Sequence, residues 1–151
     1  MRIRFLWLGL LVLLVSGCNA IPNVKADLQL KGSYFEYTFN GINDEIAQFN
    51  NYYPKTGYKY YTVFITIKNI YAEKQMFNLV NIKLIDSDGL ENNPAHMATE
   101  LGPIDSSVLS IETNKAKNCQ LVYILQQKKM AVSLKMPDNS IIILPKNTKK
   151  S

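Results

Sequence analysis

The sequence predicts an all-β sandwich of about seven antiparallel strands, and three observations point there. Short apolar runs rich in Tyr, Ile, Val, Phe and Thr recur along the chain. Turn residues separate these runs, and no segment sustains a helical apolar period capped at both ends. The chain has 151 residues, 47% of them hydrophobic, which suits one ordinary domain with a sizeable core. With 7 Gly, 6 Pro and 2 Cys, it is neither a disulfide-rich miniprotein, nor a collagen-like fibre, nor a mostly disordered chain.

The first strand segment spans residues 28–39. The clearest spans 60–69, where Tyr61, Val63, Ile65 and Ile67 alternate with Thr62, Phe64, Thr66 and Lys68. That period of two predicts one buried face and one largely wet face. Further strands are expected at 76–85, 108–112, 118–126, 130–136 and 140–144. Asp88-Gly89 and Pro137-Asp138-Asn139 supply turns between them. A short helix is expected over 43–50, because Asp44 and Glu45 favour a first turn and Ile46 and Phe49 share a face. Neither an internal repeat nor a low-complexity tract is present.

The N-terminus has the layout of an export signal. Arg2 and Arg4 precede an apolar run over 5–15, followed by Ser16-Gly17-Cys18. The run is shorter than the roughly 20 apolar residues that cross a bilayer. Leu14-Val15-Ser16-Gly17-Cys18 resembles a bacterial lipobox. The resemblance implies cleavage after Gly17, a diacylglyceryl thioether on Cys18 and acylation of the new amine. Two or more acyl chains give stable anchoring where one is marginal. The chain then divides into a signal peptide (1–17), a lipidated terminus and tether (18–27), a sandwich (28–145) and a basic tail (146–151). The nine tether residues after Cys18 reach at most about 30 Å, so the domain sits near the membrane.

Loss of Arg2 and Arg4 lowers the formal charge from +5 to +3. Lys146, Lys149 and Lys150 concentrate part of that excess in the tail, where it is solvated or lies against anionic headgroups. An exported chain with so mild a charge is not expected to bind nucleic acid.

The stretch Pro54-Lys55-Thr56-Gly57-Tyr58-Lys59-Tyr60-Tyr61-Thr62-Val63-Phe64-Ile65-Thr66-Ile67-Lys68-Asn69 resembles a family of bacterial lipoproteins and secreted proteins. These carry an immunoglobulin-like domain of uncharacterised function, similar in fold to the mycobacterial immunoprotective extracellular antigen. In that pattern a glycine precedes a long strand of alternating valines and isoleucines that ends in asparagine. A second strand then ends in Asp-Gly, as 80–89 does here, and a late apolar strand follows, as 121–125 does. This chain departs from it at Asn114-Lys115-Ala116-Lys117-Asn118, where Gly and Val are usual. The resemblance implies an immunoglobulin-like sandwich at the envelope and carries over no catalytic residue.

Candidate sites are few. Asp86-Ser87-Asp88-Gly89-Leu90-Glu91-Asn92-Asn93 has oxygen ligands for calcium but not the spacing of an EF-hand loop, and it also reads as a strand-ending turn with Gly89 at positive φ. His96 has no neighbouring His or Cys for a zinc site and no G-x-S-x-G serine to activate, so it reads as a surface-loop residue. Ser106 and Ser107 read as loop or strand-edge residues. With Cys18 lipidated, Cys119 is left single in an apolar stretch; core packing, an intermolecular disulfide and a reactive thiol all remain open. No metal and no cofactor are expected.

The tyrosines are unevenly placed. Eight of nine lie between Tyr34 and Tyr71, and the connection over 40–56 is long for a sandwich. Tyrosine gives rigid contact area with a polar tip, so Tyr52, Tyr53 and Tyr58 are the candidate binding residues. Cross-strand pairing and cover for the core are the alternative use of these rings.

These readings converge on a lipid-anchored, non-catalytic module that binds an envelope protein, peptide or glycan, or stabilises an envelope assembly. It would sit on the outer face of the cytoplasmic membrane or on the outer membrane; Asn19 after the cysteine resembles an outer-membrane address. The competing classes are an envelope hydrolase, which predicts a concave polar cluster with perturbed carboxylates, and a chaperone or inhibitor that pairs through a free strand edge.

Overall fold

The computed structural model describes residues 28–44 and 46–145. The expected signal peptide, Cys18, the expected tether and the basic tail lie outside the described residues. Among the described residues twelve strands follow in order: β1 (Leu28–Lys31), β2 (Phe35–Asn43), β3 (Tyr58–Asn69), β4 (Gln75–Asn78), β5 (Lys83–Asp86), β6 (Glu91–Asn92), β7 (His96–Thr99), β8 (Gly102–Pro103), β9 (Val108–Ile111), β10 (Ala116–Gln126), β11 (Ala131–Lys135) and β12 (Ile141–Ile143). All pair antiparallel. A large sheet has the order β1-β2-β3-β10-β7-β8, a smaller one β12-β11-β5-β6, and β4 pairs with β9 alone.

All seven expected segments are strands, but two of them divide. Segment 28–39 turns at Gly32, whose N–H donates to the Phe35 carbonyl at 2.8 Å, giving the β1–β2 hairpin. Segment 76–85 is interrupted by a 3-10 turn at Leu79–Asn81, where the Asn78 side chain accepts from Val80 N–H at 3.2 Å. The short strands β6, β7 and β8 come from stretches too brief to show alternation.

The inner faces meet as the period of two requires. Val63, Ile65, Ile67, Leu121 and Leu125 of the large sheet form one core with Leu84, Leu134 and Ile142 of the small one, joined by Phe77 of β4 and Ile111 of β9. Tyr123 is wholly buried there and donates its hydroxyl to the Ile82 carbonyl at 3.0 Å. That bond satisfies a polar group that would otherwise be costly to bury.

Asn69, the asparagine that ends β3, is fully buried for a local reason. Its Nδ2 donates to the carbonyls of Glu73 at 2.8 Å and Ile111 at 2.9 Å, and its Oδ1 accepts from Tyr71 N–H at 2.9 Å. One amide therefore ties the turn after β3 to the end of β9.

A bulge in β2 sets the phase of the outer face. Phe39 pairs with Ile65, but the next partner of β3, Phe64, meets Gly41, so Asn40 is the extra residue. Gly41 holds φ 147°, a conformation that a Cβ disfavours. The inserted residue restores the inward direction at Ile42, which is fully buried, and leaves Asn40 on the outer face.

Candidate functional site: an aromatic hairpin over a sheet face

The helix expected over 43–50 is not formed. β2 runs on to Asn43, and Phe49 to Tyr52 make a two-residue hairpin: Phe49 N–H donates to Tyr52 O at 2.9 Å and Tyr52 N–H to Phe49 O at 2.8 Å. Asn50 (φ 47°) and Asn51 (φ 65°) both take positive φ, as a type I′ turn demands. Asparagine accepts that region readily, and an Asn-Asn pair between two aromatics was the signal for a hairpin.

This hairpin folds over the outer face of the large sheet. Phe49 joins Tyr60, Val122 and Ala98 in a second buried cluster, with Ile46 packed against it. The face expected to be largely wet is therefore partly covered: Tyr60 and Thr62 are buried, while Phe64 and Thr66 are half-buried. Thr62 Oγ1 is buried without a hydrogen-bond partner among the described residues.

His96 is also not where sequence reasoning put it. It opens β7, opposite Val122 of β10, and is half-buried. The Phe49 ring stacks on its imidazole at 5.4 Å between centroids, the Tyr52 ring stacks at 5.3 Å, and Tyr60 meets it edge-on at 5.8 Å. A lone histidine two residues after Pro94 gave no periodic signal of its own, so only the pairing of β7 with β10 brings it under the hairpin.

The tyrosine cluster divides by role. Tyr37, Tyr60 and Tyr61 are buried in the two cores. Burial pushes all three phenols above their usual pKa, and nearby carboxylates add to this, Asp138 for Tyr37 and Asp44 for Tyr61. Tyr52 and Tyr53 are 61% and 70% exposed at the hairpin, and Tyr58 is half-buried at the start of β3.

Beside the hairpin lies a groove of about 770 Å³, within the range of small-molecule sites. Its floor is a row of cross-strand neighbours, Phe64, Gln120 and Ala98, and its walls include Phe49, Asn51 and Pro103. One row further along, side chains are linked across the sheet. Asn40 Nδ2 donates to Thr66 Oγ1 at 2.8 Å, Thr66 Oγ1 to Asn118 Oδ1 at 2.7 Å, and Asn118 Nδ2 to Glu100 Oε2 at 3.0 Å. Every donor in this chain points toward the Glu100 carboxylate. Asn40, Phe49, Phe64, Glu100, Asn118 and Gln120 have no site signal in the sequence, and His96 reads there only as a surface-loop residue, because their contacts join distant strands.

Cys119 lies at the groove's base with its side chain in the main core, 4% exposed. Burial pushes its thiol pKa up to about 12, with Glu100 adding to the rise. The Asp86 loop is a turn: Asp86 Oδ1 accepts from the N–H groups of Asp88 at 2.9 Å and Leu90 at 3.1 Å, and Gly89 takes φ 80°. Ser106 Oγ accepts from Val108 N–H at 3.2 Å, a local turn bond. Glu91 is held below the usual carboxylate range by its hydrogen bond and ion pair with Lys135, on the small sheet. Among the sheet edges, β8 contains Pro103, whereas β12 is uncharged and exposes Ile141 and Ile143.

The family model named Domain of unknown function (DUF4352) matches residues 25–142. The chain belongs to this family. Two solved structures share the DUF4352 chain's fold. An uncharacterized β-sandwich protein from Clostridium difficile 630 is 15% identical at a TM-score of 0.53, with 82% of this chain and 95% of that one covered. A conserved hypothetical protein from Bacillus anthracis is 12% identical at a TM-score of 0.57, covering 81% and 95%. At such identities the likeness speaks for the β-sandwich alone. A search of curated proteins gave no match.

Proposed function

We propose that this DUF4352 protein is a lipid-anchored, non-catalytic binding module of the bacterial cell envelope, held to the membrane through acylated Cys18. The lipobox sequence supports the anchor, and the immunoglobulin-like form resembling the mycobacterial antigen belongs to the same reading. The observation that carries binding is the hairpin. Phe49 and His96 fix it to the sheet, and it holds Tyr52 and Tyr53 in solvent beside an open groove. A rigid loop pays little ordering entropy when a partner docks, and exposed tyrosines on such a loop are suited to contact.

The alternative with a structural feature in its favour is strand addition at β12, whose edge is unpaired among the described residues and presents Ile141 and Ile143. Photo-crosslinking in intact cells separates the two. A crosslinker replacing Tyr53 should capture one dominant envelope partner, while one replacing Ile143 should not. Capture from position 143 alone transfers the function to the strand edge, and capture from neither rejects a stable protein partner on both surfaces.

A further inference from the structure

The groove beside the hairpin has a chemistry that narrows its occupant. Among the described residues that line it there is no lysine or arginine, and Glu100 is the carboxylate, so anionic ligands are disfavoured. Among the described residues no three His, Cys, Asp or Glu side chains gather to hold a metal ion. The floor strands β3, β10 and β7 are each paired on both sides, so their backbone groups are committed to the sheet. A peptide bound by strand addition has no free edge to use there. Recognition must come from side chains.

Those side chains are amides, a carboxylate and two phenyl rings, with the Thr66 hydroxyl bridging Asn40 and Asn118 from the neighbouring row. Asn40, Thr66, Asn118 and Glu100 orient one another, so the polar array is set before a ligand arrives. Phe64 lies half-buried in the floor and Phe49 forms a wall. A ligand complementary to this surface has an apolar face to lie on a ring and a rim of groups that both donate and accept hydrogen bonds. A pyranose has that form: its axial C–H bonds make one face apolar, and its hydroxyls ring the edge.

We infer that the groove binds an uncharged oligosaccharide, with a sugar ring lying on Phe64 and its hydroxyls meeting Asn118, Gln120 and Glu100. The inference rests on the reading of this face as a binding surface and names its ligand class. The volume, about 770 Å³, leaves room for more than one ring.

The test is calorimetric titration of the full lipidated chain in detergent with chitotetraose, with cellotetraose and tetra-lysine as comparison ligands. Saturable binding of an uncharged oligosaccharide is expected. Phe64→Leu should weaken it about tenfold or more by removing the ring, and Glu100→Gln about three- to tenfold through a weakened hydrogen bond. Met130→Gln, on the exposed turn before β11, should leave the affinity unchanged. Circular dichroism of each variant separates lost binding from lost fold. The inference is overturned if neither saccharide binds the folded protein, if binding survives both groove substitutions, or if tetra-lysine binds in the groove and the saccharides do not. A crosslink from position 53 that persists while both saccharides fail leaves the binding-module reading standing and removes this one alone.

Discussion

The imidazole of His96 and the phenol of Tyr52 stack 5.3 Å apart and 22° from parallel, joining the first residue of β7 to a hairpin turn far away in sequence. Phe49 is the buried partner of that contact, and Tyr53 has no such anchor role. Phe49→Ala should therefore destabilise the protein by about 2–3 kcal/mol, at or below the low end for core phenylalanines because the cluster is small. Tyr52→Ala should cost about 0.5–1.5 kcal/mol, the worth of an aromatic pair. Tyr53→Ala should stay within about 0.5 kcal/mol while weakening partner capture. Urea denaturation of the three variants checks the order; a large loss at Tyr53 would return it to a packing role.

Thr62 is the converse case, a buried hydroxyl without a partner among the described residues. Thr62→Val keeps the branched shape preferred in a strand and removes the unsatisfied group, so it should stabilise the fold by about 1–2 kcal/mol. A lower urea midpoint in the valine variant would mean that the hydroxyl is satisfied in solution.

Asn69→Ala removes three hydrogen bonds together and leaves the Ile111 carbonyl short of a donor in the core. A loss of about 2–4 kcal/mol is expected. Asn69→Asp should also destabilise, because a carboxylate accepts where the Glu73 and Ile111 carbonyls need a donor. Amide exchange at the turn after β3 should rise in both variants, and protection equal to the wild type would show that the clamp is dispensable.

Cys119 should resist alkylation in the folded protein and react promptly once urea unfolds it, since the thiol is buried and protonated at neutral pH. The same burial sets a pH dependence. The unfolded thiol ionises near 9 and the folded one near 12, so over that window the native state binds more protons than the unfolded state and stability falls as pH rises. The buried phenols of Tyr37, Tyr61 and Tyr123, also raised by burial, add to the fall above their ordinary pKa near 10. Cys119→Ala should flatten the onset between pH 9 and 10, at some cost in packing. An unchanged onset would assign it to the tyrosines.

For the proposed anchor, Cys18→Ser removes the sulfur that the lipid would alkylate. Loss of fatty-acid labelling and accumulation of the uncleaved precursor are expected in a bacterial host, read by metabolic labelling and gel mobility. Continued labelling would place the lipid on another residue and overturn the assignment of Cys18 as the anchor.

What the sequence determined by itself is the sandwich and the inner face of each long strand. Alternation over 60–69 is a local, two-residue pattern, and burial of one face follows from it whatever the neighbouring strands are. The Asp88-Gly89 turn was legible for the same reason, since its bonds close within a few residues. The Asn50-Asn51 hairpin was also written locally, but two acidic residues ahead of it and an apolar pair made a short helix equally readable there. Tertiary structure alone decided the outer face. The contacts Asn40–Thr66, Thr66–Asn118 and Asn118–Glu100 span 26, 52 and 18 residues. They depend on the order β2-β3-β10-β7, which no local pattern encodes, and on the bulge at Asn40 that aims its side chain outward. The same strand order carries His96 beneath Phe49 and Tyr52, and so turns a stretch of loop tyrosines into a fixed aromatic rim beside a polar groove.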